Sequence, residues 1–207
     1  VVVVAAHLDE ELAGAGGLLT SLVTAGAELR VLALTDGDCD EAGGYAPGPP
    51  PRFQRRFARL ERAYRLLGME STPRYRLGLR CGTLAEAEDD VLAAISELLG
   101  FAHPPGLLCL APWLEDPHPD HVAAGRAAML ACRAYRIRLL YYPISGPHRP
   151  GAAQLPLHRA RRFTLPEPLG GLKHQALAHL TACDDRPGPP PGRAHHPARP
   201  AHEVFIT

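Results

Sequence analysis

The chain has 207 residues, enough for one domain with a sizeable core, and we expect a single domain over residues 1–207. Lysine plus arginine (22) balances aspartate plus glutamate (22), so no net charge attracts it to nucleic acid or to an anionic membrane. The sequence contains neither an apolar run long enough for a membrane span nor a signal peptide pattern. We therefore expect a cytoplasmic protein with a small-molecule substrate and no nucleic-acid or membrane partner.

The cysteines are scattered along the chain without any C-x-x-C pair. An odd number of cysteines in a chain of this size is typical of free cytosolic thiols rather than of a disulfide framework. The five are Cys39, Cys81, Cys109, Cys132 and Cys183.

The chain opens with Val1 to Ala6, a run of small or β-branched apolar residues that predicts a buried central strand. Four polar side chains follow it closely: His7, Asp9, Glu10 and Glu11. Ligands of open α/β sheets bind outside the carboxyl ends of the strands. The cluster therefore marks a candidate metal or acid/base site.

Helix and strand patterns then alternate, which predicts an α/β fold with parallel strands. Helices are predicted at Leu12 to Val23, Phe53 to Leu67, Leu84 to Leu99, Val122 to Tyr135 and Leu169 to Cys183. Further strands are predicted at Leu29 to Thr35, Tyr75 to Leu79, Gly106 to Ala111, Arg138 to Ile144, Ala160 to Leu165 and Glu203 to Thr207. Proline-rich segments at about 43–51 and 186–200 predict irregular loops.

A second polar cluster, His118-Pro119-Asp120-His121, follows the predicted strand Gly106 to Ala111. Catalytic zinc typically takes three ligands from histidine, aspartate and glutamate and leaves a fourth position open. His7, a carboxylate at position 9 or 10, and one histidine of the second cluster would supply that set. The spare carboxylate could then act as a general base.

Each cluster also has a purely structural interpretation. The acidic residues 9–11 could favour a helix N-terminus through its dipole. His118 and His121 could be loop residues, with Asp120 as the cap of the following helix. Because both clusters combine histidine with carboxylates at strand ends, a metal site is the favoured interpretation.

Two other kinds of site share residue patterns with this chain. Gly14-Ala15-Gly16-Gly17 and Asp36 are spaced like a dinucleotide-binding fingerprint. That fingerprint needs its first glycine directly after the strand, whereas residues 7–13 intervene here, so close packing of a helix on the sheet is favoured. A two-histidine, one-carboxylate iron oxygenase uses the same ligands, but its usual all-β scaffold contradicts the alternation of strands and helices.

The two motifs resemble the A-H-P-D-D-E and H-P-D-H segments of the PIG-L or LmbE-like N-acetylglucosaminyl deacetylases. They stand here as Ala6-His7-Leu8-Asp9-Glu10-Glu11 and His118-Pro119-Asp120-His121. The resemblance implies an LmbE-like α/β fold with three layers, in which a mostly parallel, Rossmann-like sheet has helices on both faces. It also implies hydrolysis of the N-acetyl group of an amino sugar conjugate.

The resemblance further implies a zinc site of His7, Glu10 and His121, with Fe²⁺ or another divalent ion as the alternative metal. Asp9 would be the general base.

The remaining implied roles concern the substrate. His118, oriented by Asp120, would stabilise the oxyanion. Arg56 and Asp36, which match family positions, would contact the substrate.

Glu10 departs from the family pattern, because an aspartate usually binds the zinc at this position. One extra methylene must be accommodated for a ligand oxygen to end ~2.0–2.2 Å from the metal. The alternative hypothesis is therefore a family member that binds metal or sugar without turnover.

Overall fold

The computed structural model describes residues 1–37, 50–100, 106–144, 155–181 and 202–207, with the backbone alone at 50–53, 157 and 181. Within these ranges the strands are β1 (Val2–His7), β2 (Arg30–Thr35), β3 (Arg74–Leu79), β4 (Leu108–Pro112), β5 (Arg138–Tyr142), β6 (Ala160–Thr164) and β7 (His202–Ile206). The α-helices are α1 (Glu10–Thr24), α2 (Pro50–Leu66), α3 (Glu88–Gly100), α4 (Pro119–Tyr135) and α5 (Leu169–Thr181).

The strands form one sheet in the order β3-β2-β1-β4-β5-β7-β6. Strands β1 to β5 pair in parallel, and β7 runs antiparallel to both β5 and β6. Strand β1 pairs with β2 on one side and β4 on the other, and every one of its residues is buried. The direction of winding reverses between β1 and β4, which makes their carboxyl ends a topological switch point, the usual ligand site of such sheets.

Helices cover both faces of the sheet. One hydrophobic cluster joins the sheet to α1, α2 and α5, and a second joins the opposite face to α3 and α4. Alternate residues of β1 serve the two clusters, with Val3 in the first and Val2 and Val4 in the second. The expected three-layer, mostly parallel α/β fold is confirmed.

Three helices begin three or four residues away from their predicted starts, and one of them is α4, which begins at Pro119 instead of Val122. Pro50 and Pro51 form the first turn of α2 instead of belonging to the preceding loop, a position where the missing N–H of proline is tolerated. Helix α3 begins at Glu88 rather than Leu84, because residues 83–87 form short turns in which the N–H groups of Glu86 and Ala87 donate to the carbonyls of Thr83 and Leu84. Residues 43–49 and 186–200 of the predicted loops lie outside the described residues.

The glycine-rich run of α1 allows close packing. A Cβ atom on Gly14 would lie 2.3 Å from Cδ2 of Tyr142, and one on Gly17 would lie 2.1 Å from Cδ2 of Leu165. Both glycines therefore face neighbouring side chains rather than a phosphate-binding turn. This geometry supports the packing interpretation over the dinucleotide fingerprint.

A buried ion pair connects α5 and β7 to α1. Nζ of Lys173 donates to Oε1 of Glu203 at 2.5 Å and to the carbonyl of Ala13 at 2.7 Å. The Glu203 carboxylate also accepts the backbone N–H groups of Gly17 and Leu18, at 2.6 and 2.8 Å. Because both charges are paired and hydrogen-bonded, their burial is compensated, and α1 is fixed against the sheet.

The prediction that the cysteines are free thiols is wrong for Cys81, which is disulfide-bonded. Cys109 and Cys132 are free and buried, while Cys39 and Cys183 lie outside the described residues. Pairing depends on the distance between Cα atoms in the fold, which sequence spacing does not reveal. The cysteine argument for a cytoplasmic protein therefore loses its basis.

None of the described helices is both long and apolar enough to cross a lipid bilayer.

Candidate metal centre

The switch point brings the two polar clusters together. His7 ends β1, and the second cluster spans the start of α4, which follows β4. The ring centroid of His118 lies 4.8 Å from that of His7 and 4.7 Å from that of His121. The expectation that both clusters meet at one edge of the sheet is met.

Glu10 lies between two histidines. Its Oε1 atom is 2.8 Å from Nδ1 of His7 and 2.8 Å from Nε2 of His121. Its Oε2 atom accepts the backbone N–H of His7 at 3.0 Å. One ligand atom from each of these three residues lies within 4.8 Å of the others, so the group could hold a metal ion.

The far nitrogen of each of these histidines contacts a buried carboxylate. Nε2 of His7 is 3.0 Å from Oδ2 of Asp120, and Nδ1 of His121 is 2.7 Å from Oδ1 of Asp116. Metal-binding histidines almost always donate their second ring N–H to such a partner, which fixes the ring orientation. Both rings are therefore oriented with one nitrogen toward Glu10.

Asp120 is held by the loop before α3. Its Oδ2 atom accepts the N–H of Gly82 at 2.7 Å, and its Oδ1 atom accepts the N–H of Leu84 at 3.1 Å. The resemblance implied that Asp120 orients His118, but its carboxylate contacts His7 instead. Only the backbone N–H of Asp120 reaches the His118 ring.

Asp116 was not among the predicted site residues. Besides His121 it contacts the backbone N–H of His118, at 3.0 Å from Oδ1. The signal that could have found it is a carboxylate shortly before a candidate ligand histidine, the pattern of a carboxylate–histidine–metal triad.

A second group of ligand atoms, from His7, His118 and Asp120, also lies within 4.8 Å. It shares His7 with the first group. We favour the first group because the second uses the Asp120 carboxylate that supports His7.

Electrostatics couples His7, His121 and Glu10. Burial alone would lower the pKa of His7, but the charge of Glu10 and hydrogen bonds to Asp120 and Glu10 outweigh it and raise that pKa to about 9. Burial likewise opposes protonation of His121, yet the Glu10 charge and hydrogen bonds to Asp116 and Glu10 raise its pKa to about 10. The pKa of Glu10 is lowered because both histidines outweigh the cost of burial. The cluster thus favours positive charge beside the Glu10 carboxylate.

His118 has the opposite electrostatic character. Burial, followed by the charges of His121 and His7, lowers its pKa to about 4. It is the N-cap of α4, where its Nδ1 atom accepts the N–H of Asp120 at 3.1 Å. The cap is therefore His118 and not Asp120. Because Nδ1 accepts, the proton of the neutral ring lies on Nε2.

Asp9 forms the turn between β1 and α1. It has φ 83° and ψ −11°, in the left-handed region, and stands at the N-cap position without a side-chain capping bond. The Asp9 carboxylate is therefore not a cap of α1. Its Oδ2 atom lies 3.3 Å from Nη2 of Arg56.

Asp36 lies just after β2, and Arg56, on α2, reaches the backbone at the same place. Arg56 donates to the carbonyls of Gly37 and Leu8, at 2.5 and 3.0 Å. Asp36 forms a two-bond ion pair with Arg76, at 2.8 and 2.6 Å, outside the histidine cluster. Their assignment to substrate stays a prediction.

Glu11 is buried behind the site. Its Oε1 atom accepts the hydroxyl proton of Tyr64 at 2.7 Å, and burial raises its pKa to about 7. It does not point into the histidine cluster, so the acidic residues 9–11 have three different surroundings.

The fold and the histidine/carboxylate cluster define an α/β protein with a candidate metal centre at its switch point. A sequence model of the GlcNAc-PI de-N-acetylase family, PIG-L, matches residues 2–132. The chain belongs to this family. A comparison with curated proteins found no match.

Solved structures share the fold. The A40926 pseudoaglycone deacetylase is 21% identical with a TM-score of 0.65, over 99% of this chain and 95% of that one. The zinc-inhibited form of a teicoplanin deacetylase is 16% identical with a TM-score of 0.66, over 86% of this chain and 82% of that one. The 4-carboxy-2-hydroxymuconate hydratase of Pseudomonas putida is 17% identical with a TM-score of 0.60, over 86% and 77%.

These likenesses show the fold alone, and the fold also carries a hydratase. Membership in the GlcNAc-PI de-N-acetylase family supports a deacetylase and hence a hydrolase.

Proposed function

We propose that this protein is a metal-dependent N-deacetylase that removes the N-acetyl or a related N-acyl group from an amino sugar conjugate. The observation that carries the proposal is the grouping of His7, Glu10 and His121 at the switch point, on the same turn that carries Asp9. The alternative is a family member that binds metal or sugar without turnover.

The donor set fits a zinc ion. Two imidazole nitrogens and one carboxylate oxygen are common ligands of catalytic zinc, which keeps a further position open. The carboxylates behind both rings favour binding through the nitrogens that face Glu10. Fe²⁺ accepts the same ligands, so elemental analysis is needed to identify which of the two metals is bound.

Bound zinc would supply Lewis acidity, which polarises a carbonyl and makes water a stronger acid. Asp9 would accept the proton of the attacking water, as a general base. Asp9 lies between His7 and Glu10 in the chain, its side chain does not cap α1, and its carboxylate is held by Arg56.

His118 would donate a hydrogen bond from Nε2 to the oxygen of the amide carbonyl as negative charge develops there. The helix cap fixes this tautomer, since Nδ1 is engaged by the N–H of Asp120. The pKa of about 4 keeps the ring neutral at physiological pH. His118 thus acts as a neutral donor rather than as an imidazolium.

The test is elemental analysis of the purified protein, followed by an assay of acetate release from a panel of N-acetylated amino sugars. We expect about one divalent ion per chain, loss of turnover with a chelator, and recovery with Zn²⁺ or Fe²⁺. Turnover that survives complete removal of metal would refute the proposal. Stoichiometric metal without turnover on the panel would favour the non-hydrolytic alternative.

A further inference from the structure

We propose that Arg56 is a positioning residue that holds the turn carrying Asp9, rather than a residue that binds the substrate. The proposal rests on the general-base role proposed for Asp9. It concerns the β1–α1 turn, Leu8 and Asp9, and the tip of β2 next to it.

The turn adopts a backbone conformation that needs support. Asp9 has φ 83°, a value that residues with a Cβ rarely adopt. The position of its carboxylate depends on this angle, because a rotation about the N–Cα bond swings the whole side chain. A group that fixes φ of Asp9 therefore fixes the proposed base.

Arg56 contacts both sides of that rotatable bond. Its Nη2 atom donates to the carbonyl of Leu8 at 3.0 Å and to Oδ2 of Asp9 at 3.3 Å. The Leu8 carbonyl lies in the peptide plane on one side of the N–Cα bond, and the Asp9 side chain lies on the other. One guanidinium nitrogen thus restrains the angle directly.

The same guanidinium is anchored to the next strand. Its Nη1 atom donates to the carbonyl of Gly37 at 2.5 Å. A Cβ atom on Gly37, which has φ 71°, would lie 2.6 Å from both terminal nitrogens. The guanidinium therefore packs directly against the backbone of Gly37, which fixes its position relative to the end of β2.

Few donors remain for a substrate. Both N–H bonds of Nη2 and one of Nη1 are directed at protein acceptors. The Nε atom is buried and has no partner among the residues that the structure describes. A substrate contact would have to use the last N–H of Nη1 or displace a contact that holds the turn.

The two roles predict different kinetics. An interaction that binds the substrate equally in the ground state and the transition state changes KM, whereas a misplaced base changes kcat. Displacing a reacting group by about 1 Å can cost on the order of 100-fold in rate. For Arg56→Lys, whose single ammonium cannot match the three acceptors, we expect kcat to fall about 10- to 100-fold with little change in KM.

The experiment measures kcat, KM and metal content of the metal-loaded enzyme for wild type, Arg56→Lys and Arg56→Ala. We expect unchanged metal content, and partial recovery of kcat when guanidinium ion is added to Arg56→Ala. Arg62→Ala, an exposed arginine on the same helix, is the matched control and should match wild type. A raised KM with unchanged kcat in Arg56→Lys would overturn the proposal.

A second variant tests the same contact without changing Arg56, in case the Arg56 variants fail to fold. Gly37→Ala perturbs the same guanidinium from the side of β2, and we expect it to lower kcat without raising KM. Normal kcat in folded Gly37→Ala would count against the proposal.

A crystal structure of Arg56→Gln separates this proposal from the proposed function, because it needs no activity. Asp9 should leave the left-handed region or lose its ordered side chain. An unchanged Asp9 would overturn the positioning role, whereas an inactive wild type with the expected change at Asp9 would overturn only the function.

Discussion

At the scale of single residues, Glu10 shows how a longer carboxylate fits between the histidines of the candidate metal centre. Its Oε2 atom folds back to the N–H of His7, while Oε1 reaches both imidazole rings. The additional methylene gives the side chain the length to make these contacts at once. Glu10 is therefore compatible with metal binding, and the non-hydrolytic alternative loses its main support.

Glu10→Asp should weaken metal binding. On the same backbone, the shorter side chain withdraws the carboxylate by about 1.5 Å from two rings whose orientation is fixed by Asp116 and Asp120. We expect metal affinity to fall about 10- to 100-fold, the range seen when a site's supporting contacts are lost. Competition with a chromophoric chelator measures it.

Glu28→Asp, at a side chain that is 90% exposed, is the matched control for Glu10→Asp. Equal or tighter metal binding in Glu10→Asp would show that the turn adapts freely to either length.

Asp9→Asn should retain the metal and lose at least about 100-fold in kcat, the usual contribution of a general base. An amide has nearly the shape of the carboxylate but accepts no proton. Metal content and acetate release, measured on the same sample, check both halves. Asp90→Asn, at an exposed position on α3, is the control, and near-normal turnover in Asp9→Asn would remove Asp9 from its proposed role.

The sequence indicated the candidate ligands but not the contacts that orient them. His7 ends β1, and Glu10 and His121 lie in the first turns of the helices that follow β1 and β4, so the general rule for α/β sheets places them together. Asp116 and the N–H groups of Gly82 and Leu84 enter the site through tertiary contacts with no local pattern. The same reason explains why the partner of Asp120 was assigned incorrectly.

At the scale of elements, the site depends on how closely α4 approaches β4. A Cβ atom on Gly125 would lie 2.5 Å from the carbonyl oxygen of Pro112, a backbone atom that cannot rotate away. The glycine therefore sets the separation between the helix that carries His121 and the strand before it.

Gly125→Ala should lower the free energy of unfolding by about 1–3 kcal/mol, as expected for overpacking. Gly171→Ala is the matched control, because its Cβ would meet no atom within 4 Å in α5, and we expect it to be neutral or slightly stabilising. Urea unfolding of both variants measures the difference. Equal stability of the two would show that α4 moves without cost.

Element boundaries could be predicted where an uninterrupted apolar run marks a strand, but not for the segment before α3 that contacts the site. Strands β1 and β2 were predicted to within one residue at each end, because their apolar runs are uninterrupted. The segment before α3 was assigned to the helix since its apolar spacing continues through Leu84. Residues 83–87 form short turns instead, so the helix begins four residues later.

At the scale of the whole molecule, parallel order followed from the alternation of strands and helices, but the place of β7 did not. It lies between β5 and β6 and is antiparallel to both. The five residues of β7 carry no pattern that specifies these neighbours. The parallel part of the sheet ends at β3 and at β5, and the sequence does not indicate which of these two edges β7 joins.

The metal-free protein should lose stability as the pH rises from about 6.5 toward 9. His7 and His121 have folded pKa values of about 9 and 10, above the unfolded value of 6.5, so the folded state binds more protons over this interval. Their contribution is complete below pH 6.5 and disappears through the folded pKa values.

Thermal unfolding of chelated protein at pH 6.5, 7.5 and 8.5 measures this decline. Saturating Zn²⁺ should reduce it, because metal replaces the protons on both rings. His158→Ala, at an exposed histidine, should leave the slope unchanged. A Tm of the chelated protein that stays level or increases over this interval would contradict the assignment.

The Lys173–Glu203 pair has a consequence for folding kinetics. Glu203 reaches the N–H of Gly17 across 186 positions of sequence, so this contact forms only after most of the chain has been ordered. Contacts of such separation close large loops and slow folding. We therefore expect this contact, and with it the final geometry around Glu10, to form late in folding, so that metal capture follows it rather than initiating folding.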